Sequence, residues 1–189
     1  MPTAARVQEL LIRGDVAGAS TEALRDLGPG VLRYLRSVLR DEELAADAFS
    51  QFAENLWRGL PTFRGDASLR TWAFRIAWNV AASAQRDPWC RNRADLSAGM
   101  ASGLADEIRT KTAVRRARED EALDRLRQAL TREEQSLLAL RLDQGLSWAE
   151  IADVVSVDGE RVQPATLMKR YERLKERMRE MARREGLAT

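Results

Sequence analysis

Hydrophobic side chains recur every three or four residues along most of the chain, the spacing of amphipathic helices. A first helix carries apolar residues over 7–11 and ends at the Gly14-Asp15 pair. A second passes through Leu24 and Leu27 and is predicted to stop at 28–30, Gly-Pro-Gly, because glycine and proline break helices. The spacing then resumes over 31–39, which predicts a third helix.

Two longer helices are predicted in the middle of the chain. The first carries apolar residues over 44–57 and is closed by Gly59 and Pro61. A polar loop follows at 62–68, and Ser68 is placed to cap a helix from Leu69 to about Arg86. Its predicted buried face carries Trp72, Ile76 and Val80, which are spaced four residues apart.

The pattern weakens over about 87–118 and returns over 119–187. A helix ending near Leu130 is followed by two capping boxes, at Thr131 with Glu134 and at Ser147 with Glu150. Gly145 separates the helices that these boxes open. The last helix is predicted from Pro164 or Ala165 to Arg184, since proline suits the first helical turn.

Composition supports a helical chain. The 189 residues include only 11 Gly and 5 Pro, too few turn residues for an all-β fold. Hydrophobic residues make up 44% and charged residues 32%, which suits helices with solvated faces. The predicted fold class is all-α, with two helical domains, at 1–90 and 119–189, joined by a linker at 91–118. The C-terminal domain is predicted to be a helix-turn-helix.

The residues that the chain lacks exclude several kinds of chemistry. It has no His and one Cys, which removes zinc sites built from Cys and His and triads that use a His base. No acid pair or phosphate-binding glycine loop stands out, so neither an enzyme nor a cofactor is predicted. Residues 1–20 carry no signal-peptide pattern, and no apolar run reaches membrane-spanning length. We expect a cytoplasmic protein without membrane insertion.

Charges are segregated although the net charge is only +2. Acidic residues dominate 41–57 and 119–160, and basic residues dominate 63–86 and 161–184. Any one block is explained most simply as a solvated helix face, but the repeated order indicates partners of different charge. The complementary blocks 63–86 and 119–160 also predict that the two domains clasp each other when no partner is bound, in a salt-sensitive way.

The segment 63–79 interleaves aromatic and basic residues. Aromatic faces stack on unpaired bases and arginines contact phosphates, so this composition suits single-stranded nucleic acid. The alternative is that Trp72, Phe74 and Trp78 fill a small core, which is the favoured interpretation for Trp72.

The last helix carries an apolar seam with a basic flank. Arg170, Arg173 and Arg177 follow the flank, and a basic helix after a short helix and a turn fits major-groove binding. A basic amphipathic helix in a bundle explains this helix equally well by itself. The seam consists of Leu167, Tyr171, Leu174, Met178 and Met181.

Two strings resemble the extracytoplasmic-function (ECF) sigma factors of bacterial RNA polymerase. The first resembles region 2 of that family: Asp47-x-x-x-Gln51, Trp57, Phe63-Arg64-Gly65-Asp66, then Ser68-x-Arg70-Thr71-Trp72-x-x-Arg75-Ile76-Ala77-x-Asn79. The second resembles region 4: Leu126 through Arg141, Gly145-Leu146-Ser147-x-x-Glu150-Ile151-Ala152, and Thr166-Leu167-x-x-Arg170. Together they cover nearly all of the chain except the linker.

The resemblance implies a transcription initiation factor whose partners are core RNA polymerase and promoter DNA, with an anti-sigma factor as a further candidate. Region 2 would bind the polymerase clamp helices through Asp47, Gln51 and Glu54. It would melt the minus-10 element through Arg64, Ser68, Arg70, Trp72, Arg75 and Asn79, with Ser68 and Asn79 bonded to the edge of a melted base. Region 4 would sit on the polymerase flap and read minus-35 through Thr166, Lys169, Arg170, Arg173 and Arg177.

The sequence departs from the family in one place. Thirteen residues, 153–165, separate Ala152 from Thr166, a longer turn than the family has. We expect 157–163 to bulge outward. Two other functions fit the helices without the resemblance: a helix-turn-helix regulator with an N-terminal sensor or dimerisation domain, and an all-helical adaptor that does not bind DNA.

Overall fold

The computed structural model describes residues 3–84, 128–156 and 161–185, and every regular element within these ranges is helical. The predicted all-α class is therefore confirmed for the described part of the chain. The predicted linker at 91–118 and most of the helix before Leu130 lie outside it. The elements are α1 (Thr3–Ile12), α2 (Val16–Leu39), α3 (Glu42–Gly59), a 3-10 turn (Leu60–Thr62), α4 (Leu69–Ala84), α5 (Arg132–Leu138) with a π-helical turn (Ala139–Asp143), α6 (Trp148–Val155) and α7 (Pro164–Arg184).

Helix α2 runs through the Gly-Pro-Gly at 28–30, so the predicted break there is wrong. Pro29 lies on the exposed side of the helix, so it takes no part in the core. Gly28 is buried, and a Cβ built on it would lie 3.4 Å from the ring of Phe49. This distance is ordinary van der Waals contact, so α3 packs on α2 here without depending on the glycine. Burial of apolar residues on both sides of the proline outweighs the local cost of the broken helical bond.

Replacing Pro29 with Ala should stabilise the protein by about 1–2 kcal/mol, because it restores a backbone donor in a helix interior without removing packing. The gain is smaller than the full helix penalty because proline also restricts the unfolded chain. The midpoint of urea unfolding measures it. Pro61 is the control, since it lies in the first turn of a 3-10 helix where no backbone donor is needed, and Pro61→Ala should bring no gain.

Helix α4 begins as predicted, with the Ser68 hydroxyl accepting a hydrogen bond from the backbone N–H of Thr71 at 3.0 Å. Its predicted face is confirmed in part, because Val80 is buried and Trp72 and Ile76 pack half-buried against the core. The helix packs against α2 and α3 on one side and α6 on another, so small residues are needed at close approaches. The fully buried positions are Leu69, Thr71, Ala73, Phe74, Ala77, Val80 and Ala81.

Both predicted capping boxes are present, at Thr131 with Glu134 and at Ser147 with Glu150. Helix α5 widens into a π-helical turn before Gly145. Gly145 has a φ of +64°, a left-handed conformation that favours glycine, and the helix ends before it. Helix α7 begins at Pro164 as predicted. Its seam also lies inward as predicted, with Leu167 and Leu174 buried and Tyr171, Met178 and Met181 half-buried.

The N-terminal half, 3–84, and the C-terminal half, 128–185, share one apolar cluster in the described residues. Helix α2 packs on α5, and α4 packs on α6. The cluster includes Phe52 and Leu56 from the first half, and Leu140 and Ile151 from the second. The predicted domain boundaries remain a prediction. Among the described helices, none is both long and apolar enough to cross a membrane.

Candidate nucleic-acid interface

The acidic residues of α3 form an exposed face. Asp47, Gln51 and Glu54 are all exposed, and Asp47 and Gln51 lie one helical turn apart, as their expected contact with the polymerase requires. The Gln51 amide donates to Glu54 and to Asn55, each at 3.3 Å. Asp47 forms no ion pair with another described residue, so its carboxylate is available to a partner. Binding by this face, which we call the acidic face, stays a prediction.

A groove of about 560 Å³ separates α3 from the end of α4. Asn79 lines it from α4, opposite Asp47 and Gln51. Ser68 lines a different cavity, of about 220 Å³, between α1 and the loop before α4. Ser68 and Asn79 are eleven residues apart, about 16 Å along a helix. One melted base therefore cannot reach both side chains in this structure, contrary to the prediction.

The smaller cavity lies beside the Phe63–Ser68 loop. Gly65 adopts a φ of +78°, which turns the loop sharply. The rings of Phe63 and Trp72 lie 5.1 Å apart and pack on the core, so Trp72 has the structural role that the sequence favoured. Arg64 is exposed at the cavity and makes no hydrogen bond or ion pair with another described residue.

The C-terminal half bonds to two arginines on the basic side of α4. The Arg70 guanidinium donates to the backbone carbonyl of Gln144 at 2.5 Å, and the Nε of Arg75 donates to that of Asp153 at 2.7 Å. The Thr71 hydroxyl donates to Glu150 at 3.5 Å. Two arginines predicted to contact the minus-10 element are thus bonded within the chain.

A second contact joins α2 to α5 away from these arginines. The hydroxyls of Tyr34 and Ser136 are buried and 3.0 Å apart. Burial raises the pKa of Tyr34, and its bond to Ser136 only partly opposes this. The Gln144 amide donates to the carbonyl of Gly30 at 3.4 Å, and a Cβ on Gly30 would lie 3.0 Å from Gln144 Oε1. Sequence reasoning missed Tyr34, Ser136 and Gln144, because each has its partner about 100 positions away.

The predicted clasp between the two halves is present in the described residues, but it has a different physical basis. Charge blocks predicted ion pairs, whereas the arginines bond to carbonyl oxygens beside a shared apolar cluster, and the attraction between Arg70 and Glu150 adds only a smaller electrostatic contribution. Glu150 approaches α4 through Thr71. Salt screens exposed ion pairs more strongly than partly buried hydrogen bonds. We therefore expect the contact to loosen less with salt than the charge pattern predicted.

The basic flank of α7 is largely open. Thr166, Lys169, Arg170 and Arg173 are exposed, and the three basic residues have no ion pair with another described residue. Arg177 pairs with Glu134 on α5 at 2.5 Å. The flank therefore presents cations at its N-terminal end, where a helix-turn-helix contacts bases.

Part of the predicted bulge, 157–160, lies outside the described residues. The ends of the turn are held together, since Ser156 Oγ accepts from the backbone N–H of Val162 at 3.1 Å. Asp153 and Arg161 also approach to 3.9 Å. Helix α6 still packs directly on α7 despite the longer turn.

Glu150 supports both α6 and the contact with α4. Hydrogen bonds from the side chain and backbone of Ser147 lower the pKa of Glu150. Glu150→Ala should lower the free energy of unfolding by about 1 kcal/mol near pH 7, because it removes half of a capping box. A lowered folded-state pKa means that this stabilisation is complete above the unfolded-state pKa, about 4.3, and is lost as pH falls through the folded-state value.

Urea unfolding of wild type and Glu150→Ala at about pH 7 and pH 3 tests this, and the difference should shrink at the lower pH. The control is Glu172→Ala, which removes an exposed pair with Lys175 on α7 and should change stability little. A difference that stays constant between the two pH values would contradict the assignment.

Residues 23–89 match the family model described as Sigma-70 region 2. The matched segment contains most of α2 and all of α3 and α4, hence the acidic face and the basic side of α4. This match supports a sigma factor, a non-catalytic factor of transcription initiation, and implies binding to core RNA polymerase and promoter DNA. The C-terminal half lies outside the matched residues. A comparison with curated proteins found no match.

Proposed function

We propose that this protein is an ECF-type sigma factor that binds core RNA polymerase and directs promoter-specific initiation. The observation that carries the proposal is that the Sigma-70 region 2 match falls on helices with distinct acidic and basic surfaces. An initiation factor needs two such surfaces, one for the polymerase and one for DNA. Helix α7 supplies a second basic surface for an upstream promoter element.

The acidic face is the proposed polymerase surface. Asp47, Gln51 and Glu54 are exposed on one side of α3 and adjoin the groove between α3 and α4. A basic or polar helix of the clamp fits against such a face by charge complementarity. Asn79 lies on the same groove, so we reassign it from the minus-10 element to the polymerase surface.

The 63–68 loop and α4 form the proposed minus-10 surface. The small cavity behind Arg64 and Ser68 suits one extruded base, and Arg64 at its edge suits a phosphate. Arg70 and Arg75 would follow the DNA backbone, which requires the C-terminal half to release them from the carbonyls of Gln144 and Asp153. We infer that this arrangement is a closed form that opens on the polymerase.

The C-terminal half is the proposed minus-35 reader. Helix α6 precedes α7 across a turn, and the exposed residues at the start of α7 are Thr166, Lys169, Arg170 and Arg173. This order fits a region 4-like helix-turn-helix. The same observation also fits the second candidate, a helix-turn-helix regulator that binds DNA without polymerase.

One experiment separates the candidates. The purified full-length chain is mixed with core polymerase, and co-elution is followed by run-off transcription from a set of promoters. A sigma factor must co-elute and start transcription at defined sites, whereas the regulator would bind duplex DNA alone and leave the core inactive. Failure to bind any core polymerase would overturn the proposal.

Two arginines on α7 should behave differently. Arg170→Ala should relax specificity at one minus-35 position, since a bidentate arginine gives about 1–3 kcal/mol of base discrimination. Arg177 lies about two helical turns further along α7 than Arg170, where a phosphate contact is expected in place of a base contact, so Arg177→Ala should weaken binding evenly across sequences and reduce the salt slope by about one.

Anisotropy titrations on a set of minus-35 duplexes at several salt concentrations measure both effects. Arg179→Ala is the control, because Arg179 pairs with Glu176 on its own helix and lies outside the proposed set. Unchanged affinity and salt slope in both test variants would show that α7 does not read DNA.

A further inference from the structure

A cavity of about 500 Å³ opens where α4 meets the three C-terminal helices. Trp78 from α4 forms one wall. Cavities of about 300–1,000 Å³ hold small organic ligands, and such sites are frequent at the boundaries between folding units. The cavity has an apolar lining from Leu137, Val155, Val162, Leu167 and Leu174.

Charged residues at the cavity define where an ionic group would bind. Arg170, Arg173 and Arg177 line it from α7, and Glu133 and Glu134 line it from α5. Glu134 neutralises Arg177, with the two side chains 2.5 Å apart. Arg170 and Arg173 have no ion pair with another described residue and lie three positions apart, on one side of the helix.

The opposite side is unfavourable for an anion. The Glu133 carboxylate lines the cavity there and repels negative charge. An anionic head is therefore directed to Arg170 and Arg173, while the apolar lining and the Trp78 ring accept an uncharged body. A compact, fully charged anion such as phosphate would leave the apolar lining without a partner.

We propose that this cavity binds an amphipathic organic anion, with its acidic head at Arg170 and Arg173 and its apolar body against Trp78. Such a ligand touches both halves of the chain and stabilises the arrangement in which they are packed together. It also binds Arg170 and Arg173, two of the residues proposed to read minus-35. Any consequence of the ligand for minus-35 binding rests on the proposed function, whereas binding of the anion to the cavity does not.

Three probes that share one apolar body test the charge preference: 4-phenylbutanoate, 4-phenylbutanol and 4-phenylbutylamine. Each is titrated into the full-length chain by isothermal calorimetry at low salt. The acid should bind at one site, about fivefold or more tighter than the alcohol and tighter still than the amine, because an exposed ionic contact contributes up to about 1 kcal/mol and two arginines are present. Inorganic phosphate should bind more weakly than the acid.

Four variants locate the site. Arg173→Gln should weaken binding of 4-phenylbutanoate, and Glu133→Gln should strengthen it, because these changes remove attraction and repulsion respectively. Val155→Phe fills the apolar lining and should abolish binding. Arg179→Gln is the control: it removes an exposed arginine of the same helix outside the cavity, and binding should not change. Circular dichroism of each variant checks that the fold is retained.

The proposal is overturned if the acid and the amine bind equally, if no probe shows saturable binding, or if Arg179→Gln weakens binding as much as Arg173→Gln. If Val155→Phe fails to fold, Glu133→Gln still tests the proposal. A ligand held by the apolar lining alone would bind Glu133→Gln with the same affinity as wild type. Failure of the proposed function has a different signature: the chain would bind 4-phenylbutanoate but neither core polymerase nor promoter DNA.

Discussion

Ser136→Arg should raise the affinity of the isolated chain for single-stranded minus-10 DNA by about tenfold or more. Ser136 is fully buried against Tyr34, where α5 meets α2. An arginine there has no room and would bury an unpaired charge, which costs several kcal/mol. The two halves should separate, and the arginines of α4 then become available to DNA.

The measurement is anisotropy of a labelled single strand carrying the minus-10 element. Thr21→Arg is the matched control, because it adds the same charge at an exposed position of α2 without parting the halves. Gln144→Ala should give a smaller gain in the same direction, since it removes the bond to Gly30 but leaves the carbonyl bonded to Arg70. Equal binding by Ser136→Arg and Thr21→Arg would show that the closed form does not limit access to DNA.

Asp47→Lys should weaken binding to core polymerase by about tenfold or more while leaving stability unchanged within about 0.5 kcal/mol. The carboxylate is exposed and has no ion pair with another described residue, so reversing its charge breaks nothing inside the protein. At an interface the same change brings like charges together. The two measurements are competition for core polymerase and thermal unfolding.

Asp26→Lys provides the control, because Asp26 is exposed on α2 and lies outside the acidic face. It makes the same change in net charge, so it separates a contact at the acidic face from a general electrostatic effect. If both reversals weaken core binding equally, Asp47 does not mark the polymerase surface.

The C-terminal half shows how much local chemistry determines. The capping boxes at Thr131 and Ser147, the start of α7 at Pro164 and the seam over 167–181 were all predicted, because each depends on residues within one or two turns. Asp47 and Gln51 were assigned to a partner surface by the resemblance to the family, and both are exposed on α3. The periodic pattern of a helix reveals which side is polar.

Positions that depend on distant residues were predicted poorly. The predicted break at 28–30 ignored the burial of apolar residues on both sides of Pro29, which outweighs the cost of the proline and keeps α2 continuous. The predicted buried face of α4 assumed contact on one side, whereas α6 covers a second side. Local propensity has no information about a neighbour that arrives from elsewhere in the chain.

The sequence by itself determined an all-helical chain, the capped starts of its helices, an exposed acidic face and a basic α7. Only the tertiary structure decided that Arg70 and Arg75 bond to carbonyls of the C-terminal half and that Ser68 and Asn79 lie at different cavities. Periodicity and capping act over a few residues, so they can be read from the order of side chains. A carbonyl offers the same acceptor whatever residue carries it, and for that reason no sequence pattern marks the groups that hold these arginines.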